Sequence, residues 1–363
     1  MSQSAPIKEL NAIGEWQSFS PGLERVKKCL TLLNHPERKW THYLIGGTNG
    51  KGTVSLNLAR ALGPQTGLFL SPHLLDIRER ITVDGHFLPD SLWQQSRDRI
   101  LNLCPEVSLS FFEWLFVLSV EMFGRVGVQQ AVYEVGMGGR LDATNALSPD
   151  VSVLTNVGLD HQAYLGETLE DIALEKIEIA RQKKPFFVPE NLLENPRILK
   201  RLKEIGCECY PFQAGGFSSN ESLVNQILQY LKLPELKDLA MLPGRREIHP
   251  CQPLLILDGA HNEPGWLDLA HWIEEKGFAK MNILFSVSKG RSPITLQKAL
   301  KPVASSFFHW EAGFYQEVPG TEIRDVTRVN ESGLKALIKK PLLVCGSLYF
   351  IAEFKKWLAS NNL

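Results

Sequence analysis

Residues 46–53 read Gly-Gly-Thr-Asn-Gly-Lys-Gly-Thr, between an apolar run and a stretch whose apolar residues have helical spacing. This order predicts a strand, a glycine-rich turn and the first turn of a helix. Such a turn directs successive backbone N–H groups into one hollow, where the helix dipole favours an anion. Lys51 adds a positive charge for the outer phosphates, and glycine at positions 50 and 52 lets the backbone approach them closely. The stretch therefore predicts a loop that binds a nucleoside triphosphate.

The stretch departs from the usual phosphate-loop pattern, in which a glycine lies six residues before the lysine and Ser or Thr follows the lysine directly. Ile45 stands at the first of these places, Gly52 stands at the second, and Thr53 comes one position late. The alternative interpretation is a glycine-rich turn that binds nothing. The strand–turn–helix context favours phosphate binding.

Composition excludes several classes of protein. The chain has 363 residues, enough for about two domains. Its 39 basic and 40 acidic side chains give no basic surface of the kind that nucleic acid or an anionic membrane requires. No apolar run approaches a membrane span, and the polar N-terminus lacks the apolar core of an export signal. Of the scattered cysteines only Cys207 and Cys209 are close, which indicates free thiols. We therefore expect a cytoplasmic monomer without nucleic-acid or membrane partners.

Apolar runs alternate with helix-like stretches along the chain. Several runs are continuous rather than alternating, as in strands that are covered on both faces. The pattern predicts an α/β fold with a mainly parallel sheet. Pro243, Pro250 and Pro253 bracket a predicted linker, so we expect one domain over residues 1–250 and a second, smaller α/β domain over 251–363. The predicted strands are 41–45, 67–70, 130–135, 151–157, 254–257, 281–287 and 342–345.

Three polar residues lie at the ends of predicted strands. Ser71 follows one apolar run, and alone it indicates no more than a polar turn. Glu134 lies inside another run, where a carboxylate is costly to bury unless it is paired or bound to a metal. His161 follows a third run, and a single histidine there is more often structural. Together with a phosphate loop, however, these side chains suit Mg²⁺, which prefers oxygen ligands and keeps waters and phosphates in its shell.

Lys176 lies in an unexpected position. Residues 168–171 read Thr-Leu-Glu-Asp, a capping box that predicts a helix start near residue 168. Lys176 falls in the middle of the apolar stripe of that helix, where an ammonium is costly to bury. Either the lysine extends outward to solvent, or CO₂ converts it to a carbamate, which reverses its charge and makes it an oxygen ligand or anchor for a second metal ion.

Two later segments resemble loops at the ends of elements. Arg245 lies in Pro-Gly-Arg-Arg-Glu (243–247), and Asp258 begins Asp-Gly-Ala-His-Asn (258–262). The arginine could hold a phosphate and the aspartate a ribose hydroxyl. Taken singly, each segment is equally compatible with turn formation.

These motifs together resemble the folylpolyglutamate synthase/dihydrofolate synthase family, a branch of the Mur-type ligases. The resemblance spans nearly the whole chain, and the glycine-rich block around Arg140 is its most specific part. The motifs are Gly-Thr-Asn-Gly-Lys-Gly-Thr (47–53), Ser-Pro-His-Leu (71–74), Arg-Glu-Arg (78–80), Ser-Phe-Phe-Glu (110–113), Glu-Val-Gly-Met-Gly-Gly-Arg-Leu-Asp-Ala-Thr-Asn (134–145), Leu-Asp-His (159–161), Glu-Lys (175–176), Pro-Gly-Arg (243–245), Asp-Gly-Ala-His-Asn (258–262) and Gly-Ser-Leu-Tyr (346–349).

The resemblance implies a Mur ligase central-type domain that contains the phosphate loop and a smaller Rossmann-like domain that handles glutamate. It also implies an ATP-dependent ligase that joins L-glutamate to dihydropteroate or a reduced folate through an acyl phosphate. The implied cofactors are ATP and one or two Mg²⁺ ions, the second held through a carbamylated Lys176.

Residue roles are also implied by the resemblance. The implied catalytic residues are Lys51, Lys176 and His261. The implied nucleotide-binding residues are Asn49, Gly50, Lys51, Gly52, Thr53, Asn220, Arg245 and Asp258. The implied acid-binding residues are Ser110, Phe111, Phe112, Glu113, Leu141, Asp142 and Ala143, and the implied metal ligands are Ser71, Glu134 and His161.

Two departures from the family keep two alternatives open. The segment between Lys176 and Arg245 is shorter than in typical members, and the His-Gln pair that usually precedes the adenine-contacting Asn is absent before Asn220. The first alternative is an ATP-binding protein that has lost ligation. The second is a Mur-type ligase that acts on another acid.

Overall fold

The computed structural model describes residues 22–215, 218–250, 253–288, 291–310 and 325–363. It divides into two compact units, Met1–Ala240 and Met241–Leu363. Each unit contains its own sheet, and parallel pairs dominate both. The predicted α/β fold with mainly parallel sheets is thus confirmed.

The sheet of the first unit is parallel except at one edge. Its strands run in the order β4-β3-β2-β5-β1-β6-β7-β8, and only the β2–β3 and β3–β4 pairs are antiparallel. The ends of β2, β5, β1 and β6 therefore meet at one edge of the sheet, where open α/β sheets bind ligands. The strands are β1 (Thr41–Gly46), β2 (Thr66–Phe69), β3 (Ile81–Val83), β4 (His86–Phe87), β5 (Gln130–Glu134), β6 (Val151–Leu154), β7 (Pro185–Pro189) and β8 (Glu208–Phe212).

Local sequence signals fix several helices of this unit. Ser110 caps α4, and Gly127 ends it in the left-handed conformation. Thr168 caps α6 in a capping box with Asp171, which confirms the helix start predicted near residue 168. The helices are α1 (Glu24–Leu32), α2 (Lys51–Leu62), α3 (Asp90–Leu103), α4 (Phe111–Val126), α5 (Gln162–Leu165), α6 (Leu169–Lys176), α7 (Pro196–Ile205) and α8 (Ser218–Tyr230).

An aromatic cluster between the sheet and α4 forms part of the core. Tyr133 of β5 is fully buried, and its ring lies 5.8 Å from Phe116 and 6.0 Å from Phe123. Phe69 of β2 packs on the same cluster, with its ring 6.1 Å from that of Phe116. Because central strands are buried on both faces, they read as continuous apolar runs in the sequence.

The second unit repeats the α/β arrangement on a smaller scale. Its strands run in the order β13-β12-β11-β14-β10-β9, with only β9 antiparallel to its neighbour. The strands are β9 (Glu247–His249), β10 (Leu255–Asp258), β11 (Met281–Phe285), β12 (Ala304–His309), β13 (Val326–Arg328) and β14 (Leu342–Cys345). The helices are α9 (Glu263–Glu275), α10 (Pro293–Leu300), α11 (Glu331–Leu337) and α12 (Leu348–Ser360).

Every predicted strand corresponds to a strand of the structure. The predicted linker, in contrast, contains β9, which pairs with β10 through Ile248 and its neighbours. Residues 247–249, which the sequence placed in the first domain, therefore belong to the sheet of the second unit. Within the residues that the structure describes, no helix is long and apolar enough to cross a membrane.

The contact between β2 and α4 predicts a sensitive glycine. A Cβ at Gly67 would lie 2.8–2.9 Å from three ring atoms of Phe123, closer than side chains tolerate. We expect Gly67→Ala to lower the free energy of unfolding by about 1–3 kcal/mol, because the ring must shift within a packed core. Urea denaturation measures the change.

The matched control is Gly215→Ala, since a Cβ there would meet nothing within 4 Å. That variant should stay within about 0.5 kcal/mol of the parent protein. Equal stability of the two variants would contradict the packing of β2 on α4.

Candidate active site

Between β1 and α2 the chain makes the predicted glycine-rich turn. Gly50 precedes the helix at a φ of 81°, and Gly47 has a φ of 142°. A Cβ at Gly50 would lie 2.5 Å from the amide oxygen of Asn220, and a Cβ at Gly47 would lie 1.9 Å from the hydroxyl oxygen of Thr155. Both positions therefore require glycine.

Residues that follow β6 hold this turn in place. The Asn49 N–H donates to the side-chain oxygen of Asn156 at 2.9 Å. The Asn49 carbonyl accepts from the Asn156 amide at 3.1 Å and from the Thr155 hydroxyl at 2.6 Å. These contacts were not predicted, although Thr155 and Asn156 interrupt the predicted apolar run 151–157 with two consecutive polar residues.

The start of α2 provides positive potential at the turn. The Lys51 ammonium donates to the Thr48 carbonyl at 3.1 Å, so the side chain folds back over the turn. Gly52 and Thr53 lie in the first helical turn, where the N–H groups have no acceptor within the helix. Together with the helix dipole, these groups make the turn suitable for an anion.

Asn220 of α8 lies beside the turn. Its side chain is buried, and its amide group occupies the space next to Gly50. The structure thus brings Asn220 together with the predicted phosphate loop, although the two are far apart in sequence. Its contact with a nucleotide stays a prediction.

Lys176 ends α6 and is buried, with 4% of its surface exposed. Its ammonium donates to the Gly47 carbonyl at 2.9 Å. Burial and, to a lesser extent, the positive charge of Lys51 together lower the pKa of Lys176 from 10.5 to about 7, although nearby carboxylates oppose the shift. The interpretation in which this lysine extends outward to solvent is therefore wrong. Near neutral pH a large fraction of the Lys176 side chain is therefore an uncharged amine.

The glycine-rich segment after β5 fixes the end of α6. A Cβ at Gly139 would lie 2.7 Å from the Lys176 carbonyl oxygen, so the two backbones are in close contact. The Arg140 N–H donates to the Glu175 carbonyl at 3.1 Å, and its guanidinium pairs with the Glu175 carboxylate at 2.9 Å. This packing explains why the segment needs glycine there.

Ser71 and Glu134 meet at the edge of the sheet. Glu134 ends β5 with 5% of its surface exposed, and its carboxylate accepts the Ser71 N–H at 2.9 Å. Within the described ranges, no group of three or more His, Cys, Asp or Glu side chains could hold a metal ion. A metal here would therefore also need hydroxyl, water and phosphate oxygens, a shell that Mg²⁺ accepts. The donor chemistry of these residues fits a magnesium ion that arrives with a nucleotide.

His161 lies after β6, at the same edge of the sheet as Glu134. It adopts a φ of 52° immediately before α5. The backbone N–H of His161 donates to the Asp160 carboxylate at 2.7 Å, and the imidazole Nε2 lies 3.7 Å from the same oxygen. The buried Asp160 carboxylate therefore fixes the backbone at His161 and lies close to the imidazole.

Residues Ser110 and Glu113 form the N-terminal cap of α4. The Ser110 N–H donates to the Glu113 carboxylate at 2.7 Å, and the Glu113 N–H donates back to the Ser110 hydroxyl at 3.4 Å. Arg25 pairs with the same carboxylate at 2.9 Å. These contacts give both residues a structural role, and their predicted contact with an acid substrate stays a prediction.

The two phenylalanines between them differ in environment. Phe111 is buried, and the Arg80 guanidinium lies 5.3 Å from its ring. Phe112 is only partly buried and packs on Phe69, with ring centres 5.6 Å apart. A Cβ at Gly136 would lie 2.7 Å from the Phe112 ring. Phe112 thus connects the start of α4 to the glycine-rich segment after β5.

Asp142 organises the remainder of that segment. Its carboxylate accepts from the Met137 N–H at 2.9 Å and from the Thr144 N–H at 3.0 Å. Burial raises the pKa of Asp142, although these hydrogen bonds oppose the shift. Of the two residues that flank Asp142, Leu141 is exposed to solvent and Ala143 is buried.

The predicted residues Arg245, Asp258 and His261 lie in the second unit. Asp258 is the last residue of β10. Its carboxylate accepts hydrogen bonds from the backbone N–H groups of Arg246 at 2.8 Å and Ala260 at 2.7 Å. The His261 Nδ1 lies 3.2 Å from the Gly259 carbonyl oxygen. Asp258 therefore holds two loops of this unit together, which accounts for an acidic residue there whether or not it contacts a nucleotide.

Comparison with known proteins decides the family. The Mur ligase middle domain matches residues 113–230. The dihydrofolate synthase/folylpolyglutamate synthase of Buchnera aphidicola subsp. Schizaphis graminum is 32% identical over 295 aligned positions, which cover 70% of this chain and 68% of the relative. The chain belongs to the dihydrofolate synthase/folylpolyglutamate synthase family. The predicted class of enzyme, an ATP-dependent ligase, is thereby confirmed.

Other members of the dihydrofolate synthase/folylpolyglutamate synthase family match over almost the whole chain. The Bacillus subtilis enzyme is 26% identical over 410 aligned positions, which cover 93% of this chain and 95% of the relative. The solved structure of the bifunctional Yersinia pestis enzyme with AMPPNP and a Mn ion has a TM-score of 0.87 and 26% identity, and both chains are covered fully. Another solved bifunctional enzyme, with Mn, AMPPNP and L-glutamate bound, has a TM-score of 0.86 and 25% identity.

The lowered pKa of Lys176 predicts how stability changes with pH. Between about pH 7 and 10.5 the folded lysine is neutral while the unfolded lysine binds a proton, so unfolding takes up a proton and stability rises with pH. Lys176→Met lacks this dependence. We expect the variant to be more stable than the parent near pH 7, and its advantage to shrink by up to about 1.4 kcal/mol per pH unit as the pH rises.

Urea denaturation at several pH values, in buffers free of CO₂, measures the difference. Lys200→Met, which removes an exposed lysine of α7, controls for the loss of one positive charge. A stability difference between Lys176→Met and the parent that is independent of pH would contradict the lowered pKa.

Proposed function

We propose that this protein joins L-glutamate to the carboxylate of dihydropteroate or a reduced folate, with consumption of ATP. The observation that carries the proposal is the buried Lys176, whose ammonium lies 2.9 Å from the Gly47 carbonyl of the phosphate loop. A buried lysine beside an anion-binding turn, in a member of this ligase family, supports a site built for charged phosphates. The relatives solved with AMPPNP, Mn and L-glutamate support the same substrates.

The nucleotide would bind at the turn between β1 and α2. Asn49, Gly50, Lys51, Gly52 and Thr53 would hold the triphosphate, because the turn and the first N–H groups of α2 favour an anion. Asn220 is buried against Gly50 and would contact the nucleotide from α8. In the second unit, Arg245 and Asp258 are the further residues proposed for nucleotide binding.

A divalent cation would be held by Ser71, Glu134 and His161. Glu134 supplies a buried carboxylate, and the Ser71 N–H that it accepts fixes that carboxylate at the sheet edge. Asp160 fixes the backbone of His161 through a hydrogen bond to its N–H and lies 3.7 Å from its imidazole Nε2. When bound, the ion would offset the negative charge of the phosphates as the phosphoryl group is transferred.

Lys176 would act after conversion to a carbamate. Its lowered pKa leaves a neutral amine near pH 7, and such an amine adds to CO₂ with loss of one proton to give N-carboxylysine. The carbamate carries a negative charge, so the positive charge of Lys51 would stabilise it. The same charge destabilises the ammonium form of Lys176. This carbamate would anchor a second metal ion and thereby complete the phosphate site.

The chemical logic explains the use of ATP. An amine cannot displace oxide from a free carboxylate, so the acid must first be activated. The carboxylate attacks the γ-phosphorus and ADP leaves, which gives an acyl phosphate. The amine of glutamate then attacks the acyl carbon and releases phosphate. Lys51 would stabilise charge on the transferred phosphoryl group, largely by position and electrostatics.

The acid would bind near the glycine-rich segment after β5. Phe112 and Leu141 offer apolar surface there, and Asp142 holds the backbone of the segment. Ser110, Phe111, Glu113 and Ala143 complete the proposed set, although the contacts of Ser110, Phe111 and Glu113 are largely within the fold. His261 of the second unit is the remaining proposed catalytic residue.

A product assay with labelled acid tests the proposal. Purified protein is incubated with ATP, Mg²⁺, L-glutamate and dihydropteroate that carries ¹⁸O in its carboxylate. We expect ADP, dihydrofolate and phosphate with one labelled oxygen, because the acyl phosphate passes a carboxylate oxygen to phosphate. Glu134→Gln keeps the side-chain size but removes the charge, and we expect it to lower turnover at least a hundredfold, since the metal loses its anionic ligand.

The same assay, combined with isothermal titration of ATP, separates the alternatives. A protein that binds ATP but releases no ADP with dihydropteroate or with any reduced folate would contradict the proposal. That result would favour a protein that has lost ligation. ADP release with another acid, identified by mass spectrometry of the product, would favour a ligase of different specificity.

A further inference from the structure

Two cysteine side chains lie in contact at the start of an edge strand, outside the proposed active site. Cys207 precedes β8, and Cys209 is the second residue of that strand. Their sulfur atoms are 3.8 Å apart. The cysteines that the structure describes are all free thiols.

The strand geometry presents both side chains on one face. Residues two apart in a strand point to the same side, and their Cα atoms are about 6.6 Å apart. That separation lies within the range of roughly 4.4–6.8 Å found for disulfides. Glu208 between them is exposed, whereas both cysteines are half-buried against the core. Closing a bond requires the sulfur atoms to move from 3.8 Å to about 2.05 Å apart and the Cβ atoms to come within about 4.5 Å, so the backbone around Glu208 must adjust locally.

The two thiols are joined by a sulfur–sulfur hydrogen bond. The hydrogen bond from Cys207 lowers the pKa of Cys209 from 9.0 to about 7 and raises that of Cys207. A sulfur with a neighbouring S–H donor is stabilised as the thiolate, which is the nucleophilic form. One of the pair is therefore available to attack near neutral pH.

We propose that Cys207 and Cys209 form a reversible dithiol–disulfide site that reacts with low-molecular-weight disulfides. The Cys209 thiolate attacks one sulfur of the small disulfide, forms a mixed disulfide and releases one small thiolate. The Cys207 thiol loses its proton to solvent and attacks the Cys209 sulfur, which closes the protein disulfide and releases the second small thiolate. Both protein sulfurs are oxidised, and the small disulfide is reduced to two thiols.

Other cysteines of the chain provide an internal comparison. Cys29 and Cys104 also contact each other, but both are buried in the core, and burial raises the pKa of Cys29 to about 12. Cys345 is likewise fully buried. These thiols lack the access and the thiolate character that exchange requires. Oxidation should therefore be selective for Cys207 and Cys209.

The test uses oxidised glutathione with the full chain at pH 7. Cys251, which lies outside the described residues, is replaced by serine in every variant so that it cannot react. After removal of oxidised glutathione, accessible thiols are alkylated in the native protein, and the remaining thiols are alkylated with a second reagent after denaturation. The protein is then digested with trypsin, and peptide 204–232 is analysed by mass spectrometry. We expect this peptide to lose two hydrogens and to resist alkylation, while Cys29, Cys104 and Cys345 become alkylated only after denaturation.

The single variants distinguish closure from ordinary thiol reactivity. Cys207→Ser and Cys209→Ser should stop at the mixed disulfide with glutathione, because the second sulfur is absent. With both thiols present, the first step should be roughly fivefold faster at pH 7 than in either variant, since the greater thiolate fraction outweighs the lower nucleophilicity of the more acidic thiol. A persistent mixed disulfide in the parent protein, or equal rates in all three proteins, would overturn the proposal.

Discussion

The burial of one lysine beside the glycine-rich turn is the constraint on which the proposed active site depends. α6 ends with Lys176 inside the first unit, where its ammonium meets the Gly47 carbonyl at 2.9 Å. An ammonium removed from water is costly to keep charged, and the pKa of about 7 reflects that cost. Strongly perturbed groups cluster at functional sites. The hydrogen bond from Lys176 joins the end of α6 to the glycine-rich turn, so each element helps to fix the position of the other.

The parallel sheet explains how residues distant in sequence reach this point. The strands β2, β5, β1 and β6 are neighbours, so the residues that follow them gather at one edge. Ser71 and Glu134 meet there through a hydrogen bond, and Asn156 braces the turn after β1 from the end of β6. Close backbone contact at Gly139 then ties the segment after β5 to the end of α6. Each contact fixes the position of a backbone segment at the edge where we propose that the phosphates bind.

The sequence predicted the central strands of this arrangement better than the outer ones. Central strands were recognisable because they are apolar on both faces. β7 begins at Pro185 and ends at Pro189, and β8 combines cysteine, proline and charge, so neither shows a clear pattern. The unusual position of Lys176 was visible from its place in an apolar stripe, whereas the bracing by Asn156 depends on β1 and β6 being neighbours. The structural role of Glu113 was recognisable in principle, since Ser-x-x-Glu before an apolar run is a capping box.

The most direct test of this account is carbon-13 NMR of the protein equilibrated with ¹³C-labelled bicarbonate near neutral pH. A neutral, buried Lys176 that reacts with CO₂ predicts a carbamate resonance in the parent protein. The resonance should disappear when CO₂ is removed and should be absent from Lys176→Ala, which should also lose ligase turnover while it remains folded. A folded parent protein without any carbamate signal that depends on Lys176 would contradict the account.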